Sequence, residues 1–461
     1  MKRKNLFLSL ISSVLVAVAI VTVTICSVIK PKNNTNNNVP IVTPTGDDSK
    51  NNKDYNLINE LERNGSEEYP YIIYSVDSYN TLLSKFGSED RAITKPKTKK
   101  VEENGEIKDV IELDENGHMI FEDVLDEAGN KTYGVYNFEL VNDIDFAGNA
   151  YKTLFNNGKA MKANINGNGY ALKNISIDVK KDNFESEFSY VKEGVRVSHI
   201  ALFGDVNGSK FVKLNISGLK INVEKEVYAK LKTADYNLAL GAYREFTVGS
   251  IAGISTDMTL DNVNIDATIN AFAYSENYKN KGYNAIGGVS AVVNNLTMTN
   301  SKVNVKINAN AGYGYNVAGV AAYAYGASVN ASEINAKVNA SMSISYLSEK
   351  SYICGMFYGA VKVNVNDVKI NLDVKQNDEQ SVRDTFLANK KADPNTDSVT
   401  YIAGIIGIID ANNSTVPSSL TNVTVNSNVD FDGVFAGAII DVFSSNKTTY
   451  SLVKLIDVKV Y

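Results

Sequence analysis

The sequence predicts an all-β protein. It reads as a solenoid of about seven irregular coils, preceded by a short β/α segment with an antiparallel β-meander and by one N-terminal transmembrane helix. Three observations carry this. A four-residue kernel of the form small–apolar–apolar–small recurs along the chain, each kernel is followed by a strand of alternating polarity, and an uncharged apolar run opens the sequence. With 44% hydrophobic and 21% charged residues the chain is too apolar for wholesale disorder. Its 31 Gly and two Cys exclude collagen-like and disulfide-built scaffolds.

The apolar run extends from Leu6 to Ile29, after Lys2, Arg3 and Lys4 and before Lys30 and Lys32. A bilayer core of about 30 Å needs around 20 apolar residues, so the run is long enough to span it, and the extra basic residues at its start favour a cytoplasmic N-terminus. Two other readings also export the rest of the chain: a signal peptide cut near Ala17-Val18-Ala19, or a lipoprotein modified at Cys26, although Ile25 is bulky for that site. Residues 1–30 hold four of the 46 basic residues and no acid, so the remainder carries a net charge of −10. Nucleic acid is therefore a poor partner.

Residues 31–68 are rich in Asn, Asp and Pro and read as a disordered stalk. Residues 69–135 form the small segment. A short strand is expected at residues 71–74, and a helix at 78–87 with Leu82, Leu83 and Phe86 on one face and Gly87 as its stop. The basic stretch at residues 91–100 reads as a solvated loop, because no aromatic residues interleave its charges. The turn signals Asn104-Gly105, Asn116-Gly117 and Gly129-Asn130 then separate three alternating segments, a meander. His118 and His199 have no second ligand at metal spacing and are expected to be structural.

Residues 136–461 form the repeat domain. Its kernels are Ala201-Leu202-Phe203-Gly204, Ser250-Ile251-Ala252-Gly253, Gly288-Val289-Ser290-Ala291, Gly319-Val320-Ala321-Ala322, Gly355-Met356-Phe357-Tyr358, Gly404-Ile405-Ile406-Gly407 and Gly437-Ala438-Ile439-Ile440, at steps of 49, 38, 31, 36, 49 and 33 residues. The small residues let neighbouring backbones approach closely, while the apolar pair fills a shared core. Asn, 57 residues of the chain against two Gln, falls on outward strand positions and at strand ends. Genomic base composition could supply the excess, but not the placement. Asn accepts left-handed backbone and bonds its own backbone at turns.

Ala201-Leu202-Phe203-Gly204-Asp205-Val206 resembles the kernel of the GLUG-repeat β-solenoid proteins of bacterial surfaces. The segments Leu140-Val141-Asn142-Asp143-Ile144-Asp145 and Asn166-Gly167-Asn168-Gly169-Tyr170-Ala171-Leu172-Lys173-Asn174-Ile175-Ser176-Ile177 are similar to those that precede it in that family. The resemblance covers about residues 136–460. It implies a right-handed parallel β-helix on a cell surface, often in adhesin-like proteins, without implying one activity.

The function expected is accordingly non-catalytic: a membrane-anchored surface protein that binds a surface glycan or a host or matrix protein, or acts as a rigid spacer. Candidate contact residues are Tyr274, Tyr278, Tyr283, Tyr313, Tyr315, Tyr323 and Tyr325, whose rings carry an apolar face and a hydroxyl. The competing reading of these tyrosines is aromatic stacking along the solenoid. Among enzymes, the alternative is a β-helix polysaccharide lyase or hydrolase using Asp143 and Asp145, or Asp261 and Asp266. No cofactor is expected beyond a structural Ca2+ ion held by Asp and Asn oxygens.

Overall fold

The computed structural model describes residues 48–461 other than 104, 193–194, 225, 228–245, 272–283, 310–314, 341–350, 378–383, 385–386, 389–390, 393–399, 411–415, 432–434 and 444–452. The chain divides into units 1–48 and 49–461, and the second holds the fold described below. The expected span from Leu6 to Ile29 lies outside the described residues, among which no helix is long and apolar enough to cross a membrane.

The fold is mostly strand, in one large, mainly parallel sheet with the pairing pattern of a solenoid. One coil consists of strands Asn284–Gly287, Ser290–Thr299 and Lys302–Ala309, and the next of Tyr315–Ala318, Ala321–Asn330 and Glu333–Ala340. Each strand pairs in parallel with the one three places on, as in Ile286↔Val317, Val293↔Ala324 and Ile307↔Val338. Alternation puts Val303, Val305, Ile307 and Ala309 in the core, and Lys302, Asn304, Lys306 and Asn308 outside.

The kernels stack as expected. Leu202, Ile251, Val289, Val320, Met356 and Ile405 form one fully buried column, tied by backbone bonds from Leu202 N to Ser250 O, Ile251 N to Val289 O, Val289 N to Val320 O, and so on to Met356 N and Ile405 O. The glycines are close-approach positions. A Cβ on Gly288 would lie 2.0 Å from Gly319 O, one on Gly319 2.2 Å from Gly355 O, and one on Gly355 2.0 Å from Gly404 O. Gly404 is looser, its nearest neighbour being Val425 at 3.0 Å, and Gly253 is held by His199. The last kernel departs from the register: Gly437 is exposed and pairs with Ala403 rather than Gly404, and a shift follows before Ile406↔Ile439.

Two corners of the stack are columns of left-handed residues. One runs Lys213, Asn262, Asn300, Ala331, Asp367, Asn422 and Asp457, with φ between 47° and 55°. The other runs Asp257, Asn295, Gly326 and Lys362. Asn, Asp and Gly tolerate this conformation best, which gives Asn262, Asn295, Asn300 and Asn422 a conformational reason. More Asn forms ladders between coils: Asn339 donates to Asn308, Asn308 to Asn270, Asn270 to Asn222 and Asn222 to Asp178, at 2.5–2.7 Å.

Two boundaries differ from the sequence reading. The polar segment 31–68 is not all stalk, because Asp48–Leu61 is a helix and Asn59 is buried. The Asn59 amide donates to Ile72 O (2.9 Å) and accepts from Ile72 N (2.7 Å), closing the free edge of strand Tyr71–Ile73. That strand pairs in parallel with Tyr136–Leu140, so the solenoid begins inside the segment assigned to 69–135. Helix Val76–Phe86, capped by Ser75, buries Tyr79 and Leu83 in the same core.

The basic stretch is strand rather than loop. Residues 91–103 run outward and pair antiparallel with the return strands Glu106–Ile111, Phe121–Asp123 and Tyr133–Gly134. The two excursions between return strands share one turn. Asp114 Oδ1 accepts from the backbone N–H groups of Asn116 and His118, as Asp126 Oδ1 does from Ala128 and Asn130. His118 also pairs with Asp114 at 3.2 Å.

Candidate binding site

Beside each kernel the chain doubles back, and the two arms enclose small clusters distinct from the main core. One joins Ala285, Ala291, Val292 and Ala322 to Ile254, Tyr323 and Tyr325; another joins Ala318, Tyr352, Cys354 and Ala403 to Tyr358, Tyr401 and Ile408. Two of the candidate tyrosines, Tyr323 and Tyr325, belong here. Tyr323 accepts a hydrogen bond from Asn316 Nδ2 (3.0 Å) and meets Tyr358 edge-on (5.2 Å, 81°). Tyr352 packs on Tyr358 and stacks on Tyr401. Tyr325 is half-buried against the same cluster, and Tyr315 is wholly inside the main core. A partner contact through Tyr315 is thereby overturned, because its position in the short first strand points it inward. Tyr274, Tyr278, Tyr283 and Tyr313 lie outside the described residues.

In the coil of the first kernel the same two columns carry ionisable side chains. His199 is in register with Thr247, and Asp205 with Ile254. His199 Nδ1 and Asp205 Oδ1 lie 2.6 Å apart, with the His199 side chain 5% exposed. Tyr190 bonds the same carboxylate. Burial, followed by the Asp205 charge and hydrogen bond, pushes the Tyr190 phenol up to about 12. The Tyr190 and His199 rings meet edge-on at 6.3 Å.

Tyr190 is also one wall of a cleft of about 480 Å³, within the ~300–1,000 Å³ range of small-molecule sites. Gly204 sets its floor. With no Cβ, which would stand 2.7 Å from Phe155 O, Gly204 N donates to Leu154 O (2.7 Å) and Asp205 N to Phe155 O (3.1 Å). Phe155 takes a left-handed backbone (φ 55°) as the chain turns there. Asn156 then fixes the loop, donating to Phe188 O (2.8 Å) and accepting from His199 N (3.1 Å). The cleft is charge-balanced: Lys152 pairs with Glu187 at 2.9 Å and Lys159 with Glu89 at 3.3 Å. Thr153 lines it, is 7% exposed, and its hydroxyl has no hydrogen-bond partner.

A second groove, of about 570 Å³, lies over Asn335, Asn371, Asn426 and Tyr461. Its amides are already engaged with one another, Asn371 donating to Asn335 and Asn426 to Asn371. The carboxylates named for polysaccharide cleavage are engaged too. Asp143 accepts from Ala171 N and pairs with Lys173, which holds its carboxyl below the usual range, and Asp145 accepts from Asn174 and Ala147 N, which lowers it likewise. Asp261 accepts from Thr299. Asp266 stands in a separate strand, in register with Asn304. Among the described residues no group of three or more His, Cys, Asp or Glu is placed to hold a metal ion.

Of the kernel residues singled out in the sequence none lines the cleft; Gly204 braces it from behind, through its bond to Leu154 O. Thr153, Asn156 and Tyr190 belong to no motif; strand Tyr190–Lys192 pairs antiparallel with Val195–Ile200, and Asn156 bonds Phe188 O and His199 N, which brings the three together. No family model matches the chain, and no curated protein matches it.

Proposed function

We propose that this chain is a membrane-anchored bacterial surface protein, non-catalytic and adhesin-like, built on a right-handed GLUG-type solenoid that displays binding segments. The span from Leu6 to Ile29, as read in the sequence, would hold it in the membrane with the large domain outside. The observation that carries the reading is where the coils connect. Val223, Ala271, Ala309, Ala340 and Gln376 each end a third strand or its equivalent, and neighbouring coils stack them in register: Val223↔Ala271, Ala309↔Ala340, Ala340↔Gln376. The first strands of the next coils are likewise stacked, Asn284↔Tyr315 and Ser351↔Thr400. Inserts of very different length, including the one with Tyr274, Tyr278 and Tyr283, thus leave and re-enter a regular scaffold along one edge. That is the layout in which a solenoid varies its binding loops without disturbing its core.

The test is protease shaving of intact cells that carry the full chain, with binding to a glycan and matrix-protein array. Loss of the domain by shaving, and array signals lost when residues 272–283 are replaced by a short Gly-Ser link, are expected. Complete protection on intact cells would overturn the surface assignment.

A further inference from the structure

We infer that the outward strand Thr98–Glu103 of the arm pairs with the same strand of a second copy of this chain, antiparallel and centred on Val101. This holds wherever the protein resides. The strand and its return partner Glu106–Ile111 form a sheet of two strands alone, and every residue of both but Ile111 is exposed. A two-stranded ribbon by itself is marginal in water, and further strands are what stabilise it. Hydrogen-bond parity shows which backbone groups are open. Glu112 N donates to Lys97 O (2.8 Å), so the odd-numbered residues of the outward strand bond the return strand. Thr98, Lys100 and Glu102 therefore turn their N–H and C=O groups to the outer edge, where no other described strand meets them.

The charges of Lys99-Lys100-Val101-Glu102-Glu103 select the partner. Edge lysines ordinarily keep a second copy away. Here two acids follow two bases, so a copy reversed about Val101 sets Lys99 against Glu103 and Lys100 against Glu102, each twice by symmetry. Val101 meets its counterpart on the two-fold axis. Parity fixes the register: a slip of two residues either way puts Lys100 on Lys100 or Glu102 on Glu102. The charges are available, since among the described residues Lys99, Lys100 and Glu102 have no ion-pair partner and Glu103 has Lys108 at 3.2 Å. The return strand carries no such register. Centred on Lys108 or Asp109 it opposes like charges, and centred on Val110 it runs into Leu113, already bridged to Met119.

One strand of pairing is small beside a stable dimer interface, so the contact is reversible and a covalent trap reads it. Parity makes Val101 and its counterpart a non-hydrogen-bonded pair, with Cα atoms about 4.5 Å apart, within reach of a disulfide. The experiment uses the full chain in detergent with Cys26→Ser, which leaves the buried Cys354 as the only native thiol. With diamide as oxidant, Val101→Cys is expected to give a disulfide-linked dimer, formed faster at low salt because exposed charges are then less screened. Val110→Cys should stay monomeric, because Val110 is 43% exposed beside 37% for Val101 but lies one strand away from the axis. In the Val101→Cys chain, Lys99→Glu with Lys100→Glu should cut the dimer yield about tenfold, as should Glu102→Lys with Glu103→Lys, since every cross-strand pair becomes like-charged. Mixing these two variants should restore the dimer, which shows that the ribbon is intact in each. The inference is overturned if Val101→Cys stays monomeric, which leaves the edge empty or open to a foreign strand. Equal trapping at Val110, a yield indifferent to the charge changes, or no recovery on mixing would overturn it too.

Discussion

His199 looks, in the sequence, like one of two isolated histidines; in the fold it anchors a buried chain of hydrogen bonds from Asn156 through Asp205 to Tyr190. The Tyr190 phenol is raised from 10.0 to about 12 by burial and by Asp205, so the fold favours its protonated form. A group raised in the folded state stabilises fully below its unfolded pKa and loses that contribution as pH climbs through the folded value. The window is therefore pH 10 to 12. Tyr190→Phe should cost about 1 kcal/mol at neutral pH through the lost hydrogen bond to Asp205. The gap in melting temperature between wild type and variant should then close between pH 10 and 12. A gap that stays constant over that window would show that Asp205 does not hold the phenol.

At the scale of the element, the corners and the kernel make opposite predictions for alanine. Ala331 stands in the left-handed corner column between Asn300 and Asp367, with φ 47°. Changing Ala331→Asn should stabilise by about 1 kcal/mol, because Asn tolerates that backbone and Ala does not. Gly319 has the contrary environment. An added Cβ there meets backbone of the next coil at 2.2 Å, and backbone cannot swing aside as a side chain can. Gly319→Ala should cost about 3 kcal/mol, the upper end for overpacking. Chemical denaturation of the two variants checks both signs at once. The kernel was legible as small–apolar–apolar–small because this packing demand falls on four consecutive residues. The corner column was only half legible, since Lys213 and Ala331 occupy it without any turn signature.

For the whole molecule, the parallel stack makes each coil the support of the next, from Tyr71–Ile73 to the pairing of Val425 with Val460. Stability should then be shared among coils, with nearest-neighbour coupling. Anchoring is a separable property, assigned to the span from Leu6 to Ile29. A chain starting at Ser49, where the compact unit begins, should partition to the soluble fraction while keeping the strand signature of the full chain by circular dichroism. Persistent sedimentation with membranes would place the anchor elsewhere. The arm formed by residues 91–134 shows the same limit of sequence reading on a larger scale. Its turns are evident from Asn-Gly and Gly-Asn pairs, but the basic stretch opposite them, with no aromatic residue among its charges, reads as loop. Its strand state comes from pairing with the return strands, not from its own composition.

By itself the sequence determined the all-β class, the kernel column and the outward placement of Asn, because each of these is a local demand repeated at short range. The tertiary structure alone decided where the solenoid begins, why Asn59 is buried in a polar segment, and which tyrosines pack between coils. It also alone brought Thr153, Asn156 and Tyr190 around one cleft. The physical reason is separation along the chain. Contacts between coils join residues from 27 positions apart (Tyr136 with Ala163) to 67 (Tyr71 with Phe138), and the register that selects them is set by backbone stacking, which leaves no pattern in any single stretch of sequence.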